Sequence, residues 1–267
     1  MATKYNSVES DNFTTAIGGA PGAGDTVHIN RFARRYNAGL SVATNKAALF
    51  KIAPESACEF ADAGGLVCKT DEFVNMGNQQ KLLVASSSSA DEITKFVNAP
   101  VRSTSVTQLG SCIAATGIYN KSGILTILDT VDTAGDVEVA GGDVTIVYSG
   151  SLLIDGYLRV MGGIARARRR AEEIEVGGTG VMILDEPSAS QGDLVQTGGR
   201  VEVADSGTLD LYVGRAGVID FSRLSRDLTI SDWTEYPWLT VIVRANGPTI
   251  TKTAAAAPYG PAKYLYV

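Results

Sequence analysis

Histidine is all but missing from this chain: among 267 residues His28 stands alone. A Ser-His-Asp or Cys-His arrangement would have to use that one imidazole as its base. It lies in Thr26-Val-His-Ile-Asn30, a short alternating strand, where a structural role is the better reading. Zinc hydrolysis is equally poorly served, because such sites draw on several His ligands. Cysteine is scarce too. Cys58, Cys68 and Cys112 fit neither a disulfide framework nor the paired spacing of a zinc site, and read as buried or incidental thiols. In a reducing compartment Cys58 and Cys68 would stay thiols even as neighbours on adjacent strands.

Charge is also sparse, at 19% of residues, and the net charge is −6. An acidic chain without a basic tail argues against nucleic acid as a partner, since such binding rests on neutralising phosphates. No stretch reaches the roughly 18 apolar residues that a membrane span requires, which argues against a membrane partner. The start, MATKYNSVESDNF, has neither the basic opening nor the apolar run of a secretory signal, so synthesis in a cytoplasm is expected. No metal or cofactor is called for. Phosphate-binding loops are lacking as well: Ile17-Gly-Gly-Ala-Pro-Gly-Ala-Gly24 has no Lys-Ser/Thr after it, and Gly177-Gly-Thr-Gly180 has no βαβ unit around it.

Glycine, by contrast, is abundant, with 29 residues. From about residue 110 to 235 it punctuates short strand-like runs such as Asp136-Val-Glu-Val139, Val181-Met-Ile-Leu184 and Arg200-Val-Glu-Val203. Gly-Gly pairs fall at 141–142, 162–163, 177–178 and 198–199, an imperfect repeat of about 18 residues of the kind that solenoids produce. A short coil cannot bury its apolar residues alone, but stacked coils share a continuous core and pair each strand with the next. Glycine suits the corners, where the chain turns sharply. The expected fold is therefore all-β, a β-solenoid resembling a parallel β-helix. A β-sandwich or jelly roll is the alternative, since it too has strands every 8–12 residues.

The organisation expected is an irregular N-terminal leader over 1–45, a solenoid body over 46–235, and a C-terminal strand with an extended arm over 236–267. One helix is expected, of two turns at most, where Ser88-Ser-Ala-Asp91 would cap Glu92-Ile-Thr-Lys-Phe-Val97. Trp233 and Trp238 flank Tyr236-Pro237 and supply the bulk that a solenoid end needs for a cap.

Sugar cleavage is the enzymatic rival, needing two carboxylates about 5–9.5 Å apart. Asp205 with Asp210, or Asp129 with Asp132, are the pairs available, but their settings are those of turn residues. The 19 aromatics look scattered and do not propose a sugar platform. No catalytic residue is assigned. The strongest anomaly is Ala165-Arg-Ala-Arg-Arg-Arg-Ala-Glu-Glu-Ile-Glu175. In an extended strand Arg166, Arg168 and Arg170 share one face and Arg169 takes the other. They form either a ladder of ion pairs with neighbouring coils or a docking surface for carboxylates, for which the guanidinium fork is suited. The candidate interface residues are Arg166, Arg168, Arg169, Arg170, Trp233 and Trp238.

The opening Met1-Ala-Thr-Lys-Tyr-Asn6, then Gly24-Asp-Thr-Val-His-Ile29, the Gly-Gly coils, and Gly217-Val-Ile-Asp-Phe-Ser-Arg223 followed by Leu228-Thr-Ile-Ser-Asp-Trp233 carry a resemblance. In order and texture across most of the chain they resemble tailed-phage virion proteins that decorate, or cement, the capsid. That resemblance implies a solenoid body, a homotrimer, attachment to the major capsid protein lattice on the virion exterior, and no catalytic residues. A phage tail fibre or spike component that binds host surface glycan is the alternative.

Overall fold

A computed structural model describes residues 1–7, 9, 12–30, 34–36, 46–60, 69–84, 92–110, 112–113, 116–128, 130–146, 151–166, 171–185 and 193–267. The chain divides into two compact units, residues 1–135 with 144–152, and residues 136–143 with 153–267. Each is a parallel β-solenoid, and the two together hold about ten turns. The strand pairing in each unit is parallel, so the facing antiparallel sheets of a sandwich or jelly roll are not what the chain forms.

The first unit keeps a regular step. Thr3 pairs with Thr26, Thr26 with Leu49, Leu49 with Glu72 and Glu72 with Lys95, each 23 residues on. Because side chains alternate along a strand, every second residue faces the interior, and this register stacks equivalent residues of successive coils into columns. Val27, Phe50, Phe73, Phe96 and Ile118 make one column, and all are buried. The Phe50 and Phe73 rings lie 6.4 Å apart and the Phe73 and Phe96 rings 5.4 Å apart, nearly parallel. The neighbouring column runs Ile29, Ile52, Asn75, Asn98 and Asn120. Its amides are buried and bonded to one another: Asn75 Nδ2 donates to Asn98 Oδ1 (3.0 Å), and Asn98 Nδ2 donates to Asn120 Oδ1 (2.7 Å). Thr107 accepts from Asn75 and donates to Asn98, so the second wall of the coil joins the same network.

Glu92–Asn98 is a strand, not the expected helix. Its caps, 88–91, lie outside the described residues. Local spacing could satisfy either conformation, but Ile93 and Phe96 fall in register with Thr70 and Phe73, and that burial decides it. Among the described residues the one helix is Phe13–Ala16, capped by Asn12, which accepts from the Thr15 amide. Thr3–Tyr5 and Thr26–Ile29, inside the expected leader, are wound into the ladder, so coil-to-coil pairing starts before residue 46.

In the second unit the coil length varies. Leu158, Ile174, Leu194, Tyr212 and Trp233 occupy one column at steps of 16, 20, 18 and 21 residues. Ala165, Met182, Val201, Ile219, Val241 and Tyr264 line the opposite wall. The Gly-Gly pairs sit at the corner between the two walls, as their spacing proposed. Gly163 has φ +68°, and a Cβ there would stand 2.2 Å from the Gly142 carbonyl oxygen. That same oxygen accepts the Ile164 amide at 2.7 Å, so the corner backbone cannot give way without losing its bond to the next coil. The ladder continues past residue 236: Lys263–Tyr266 pairs with Thr240–Val243, and Ile250–Lys252 pairs with Leu228–Ile230.

Two substitutions test this packing by urea denaturation. Phe73→Ala opens the ring column and is expected to cost about 3–5 kcal/mol. Gly163→Ala adds a left-handed penalty of about 1–2 kcal/mol to a backbone clash, and a loss smaller than that would contradict the corner geometry.

Candidate functional site at the last coils of the second unit

The expected interface residues separate in space. Trp233 is inside the core, 1% exposed, with its ring 4.5 Å from that of Tyr212 and 6.3 Å from that of Phe221. It fills the interior, continuing the column that widens from Leu194 to Tyr212, and so is not placed as an exposed interface residue. Trp238 is 68% exposed and belongs to a different group. Both lie on the strand Asp232–Val243, whose alternation breaks at Tyr236-Pro237. The pairing with Leu211–Asp220 shifts register there, between Gly214 and Ala216, so Trp238 swings outward while Leu239 returns to the core.

Around Trp233 lies a buried polar cluster. Its Nε1 donates to Glu235 Oε2 (2.7 Å), the Tyr264 hydroxyl donates to the same oxygen (2.6 Å), and Lys252 Nζ pairs with it at 3.2 Å. Lys252 also donates to the Tyr264 hydroxyl and lies over both the Trp233 and Tyr264 rings. Burial pushes the Glu235 carboxyl up, but the hydrogen bonds from Tyr264 and Trp233 and the Lys252 charge outweigh it and hold the group below the usual carboxylate range. Burial and the bond to Glu235 drive the Tyr264 phenol well up. Burial likewise raises Tyr212, whose hydroxyl donates to Gln196 Oε1 (2.6 Å). A pocket of about 240 Å³ opens beside this cluster, lined by Phe221, Trp233, Val241, Ile250, Tyr264 and Tyr266 among others. It is the hollow of the last coil.

On the outside, Trp238 joins Tyr236 and Tyr259. The Tyr236 ring is 6.3 Å from that of Trp238, with 18° between planes, and 5.3 Å from that of Tyr259. Trp238 and Tyr259 are 6.5 Å apart, and Tyr259 is 70% exposed. The sequence reading of scattered aromatics is corrected here. Tyr259 is distant along the chain, and only the winding of residues 244–262 brings it back over the strand. No local sequence signal marks that return.

Arg166 lies on the strand Ile164–Arg166 and faces Asp143 at 3.8 Å, an ion pair between neighbouring coils. Arg168, Arg169 and Arg170 lie outside the described residues. Glu175 pairs with Arg159 (3.4 Å), which also binds Asp136, so that part of the acidic run is served from the preceding coil. Asp205 sits in a turn at φ +49°, and Asp210 accepts from Ser231; Asp129 lies outside the described residues. Cys58 is buried, His28 stacks on Tyr5, and Cys68 lies outside the described residues. Among the described residues no group of three metal-ligating side chains gathers, and no helix is long and apolar enough to cross a membrane. Comparison with known proteins finds no matching family model, curated protein or solved structure.

Two spectroscopic outcomes follow from the separation of the tryptophans. In Trp238→Phe the remaining emission comes from Trp233 and resists acrylamide, whereas wild-type emission is partly quenched; strong quenching of the variant would contradict the buried placement. Because the folded carboxyl of Glu235 lies below its unfolded value of about 4.3, its stabilisation is complete at neutral pH. It is lost as pH falls below that value towards the depressed folded one. Followed through Trp233 emission during acid titration, Glu235→Gln should lack that loss. At neutral pH it should be less stable by about 1–3 kcal/mol.

Proposed function

We propose that this chain is a virion structural protein that decorates a tailed-phage capsid. It self-associates as a homotrimer and docks on the major capsid protein lattice from outside, after synthesis in the host cytoplasm. It acts by binding and not by catalysis.

One observation carries the reading: cations on the outward faces are held by carboxylates of the same chain, mostly on neighbouring coils. Lys46 sits 3.3 Å from Asp71 and 2.9 Å from Glu92, and Lys95 sits 3.0 Å from Glu72. Arg159 bridges Asp136 and Glu175 on the coils to either side, and Arg200 reaches Glu202 on its own strand and Asp220 on the next coil. These four cations meet seven carboxylates, so the faces stay acidic, and an Arg run on a neighbouring copy would complement them. Parallel ladders give such faces rigid, repeating surfaces, and a closed ring of three copies needs one face to meet another around the axis. A stable contact of this kind buries about 800 Å² per partner. The Arg166, Arg168, Arg169 and Arg170 run is the docking element this reading assigns to carboxylates on a partner.

A second reading, a tail fibre or spike component that binds host glycan, is favoured by the exposed ring cluster of Tyr236, Trp238 and Tyr259.

The test is light scattering at micromolar protein, followed by sedimentation with undecorated phage heads. A mass near three times that of the chain and co-sedimentation with heads are expected. Replacing the four arginines with alanine should weaken both. A monomer that stays in the supernatant would contradict the proposal.

A further inference from the structure

We infer that the Tyr236–Trp238–Tyr259 cluster is a saccharide-stacking site. The inference deepens the glycan reading of these rings by naming the ligand chemistry and its polar partner, and it stands whether or not the capsid reading holds.

The first ground is how these rings are presented. Exposed apolar rings are a cost in water unless something covers them, and two of these three are about 70% exposed. They are nonetheless held in place. Pro237 fixes the backbone between Tyr236 and Trp238, and the segment carrying Tyr259 is bonded down onto the strand. The Glu235 amide donates to the Ala256 carbonyl (3.0 Å) and the Ala256 amide to the Trp233 carbonyl (2.8 Å), while within the segment the Gly260 amide closes a turn on the Ala257 carbonyl (3.2 Å). Beneath them the Glu235 cluster anchors the same strand. Rings presented on a fixed backbone lose little entropy when a ligand covers them.

The second ground is size. At about 70% exposure of side chains that bury roughly 200 Å² each, Trp238 and Tyr259 offer on the order of 300 Å². A stable protein contact needs about 800 Å² on each side. The area suits one or two sugar rings better than another protein face.

The third ground is chemistry. The face of an aromatic ring carries partial negative charge, and the C–H hydrogens on the flat side of a pyranose carry partial positive charge. Tyr236 and Trp238, only 18° from parallel, present faces of similar tilt. A sugar also needs polar partners for its hydroxyls. Arg215 is exposed at the register shift between Gly214 and Ala216, and Ala216 is the residue paired with Trp238. Its fork can donate to a hydroxyl pair or to a uronic carboxylate.

The experiment titrates the full chain with three named oligosaccharides, cellohexaose, maltohexaose and a hexameric oligogalacturonate, reading tryptophan emission and heat. Saturable binding of at least one is expected, with the change arising from Trp238 and absent from the buried Trp233. Trp238→Ala and Tyr259→Ala should each weaken it tenfold or more, with circular dichroism and oligomer mass unchanged. Arg215→Gln should weaken the galacturonate arm more than the neutral arms. Flat titrations across all three sugars would overturn the inference. So would a Trp238→Ala variant that dissociates an oligomer while wild-type protein ignores the sugars, which would make the rings a contact between copies. Head binding is read separately, so failure here leaves the capsid reading standing and failure there leaves this one.

Discussion

The parallel backbone ladder between successive coils is the constraint on which each unit depends. In the first unit, once Thr3 is set beside Thr26 and Thr26 beside Leu49, the interior positions of Lys69–Asn75 and Glu92–Asn98 follow, because each strand inherits the register of the one before. The core is then a set of columns, and a side chain is judged by its neighbours one coil above and below. Phe73 is held by Phe50 and Phe96, whereas residues adjacent in sequence point away from it. Turns between strands can differ in length without disturbing this, as the uneven steps of the second unit demonstrate.

The same register explains how polar groups survive inside. A single buried amide would cost free energy for each unmatched donor and acceptor. Stacked at one position, Asn75, Asn98 and Asn120 supply one another, and Thr107 closes the set from the opposite wall. In the last coils of the second unit the solution is different. Glu235 there collects three donors from Trp233, Tyr264 and Lys252, tying strands of the terminal coil to the ring column.

The architecture was legible where the backbone itself leaves a mark. Gly-Gly at 162–163 and 198–199 announced corners that a Cβ would block, and from these the solenoid could be read. The 23-residue step of the first unit escaped, because the four recurring glycine pairs from residue 141 on all lie in the second unit; its signal was the recurrence of Val27, Phe50, Phe73 and Phe96. Glu92–Asn98 was misread because an apolar spacing that permits a helix was resolved by partners 23 residues away. Trp233 and Trp238 looked alike in sequence. A register shift of the strand separates them, and nothing local foretells it. The ring cluster was invisible for a related reason, since Tyr259 reaches it only after a further turn.

Charge pairing across coils and the exposed rings describe two kinds of surface, one suited to broad contact and one to a small ligand. Both require that the ladder hold its register, so amide hydrogen exchange is the most direct measurement. The account predicts protected amides recurring at 23-residue intervals through Thr26–Ile29, Ala47–Ile52, Lys69–Asn75 and Glu92–Asn98. It also predicts faster exchange in Lys263–Tyr266, which pairs on one side with Thr240–Val243. Protection that lacks this recurrence, or that alternates as in antiparallel hairpins, would contradict it.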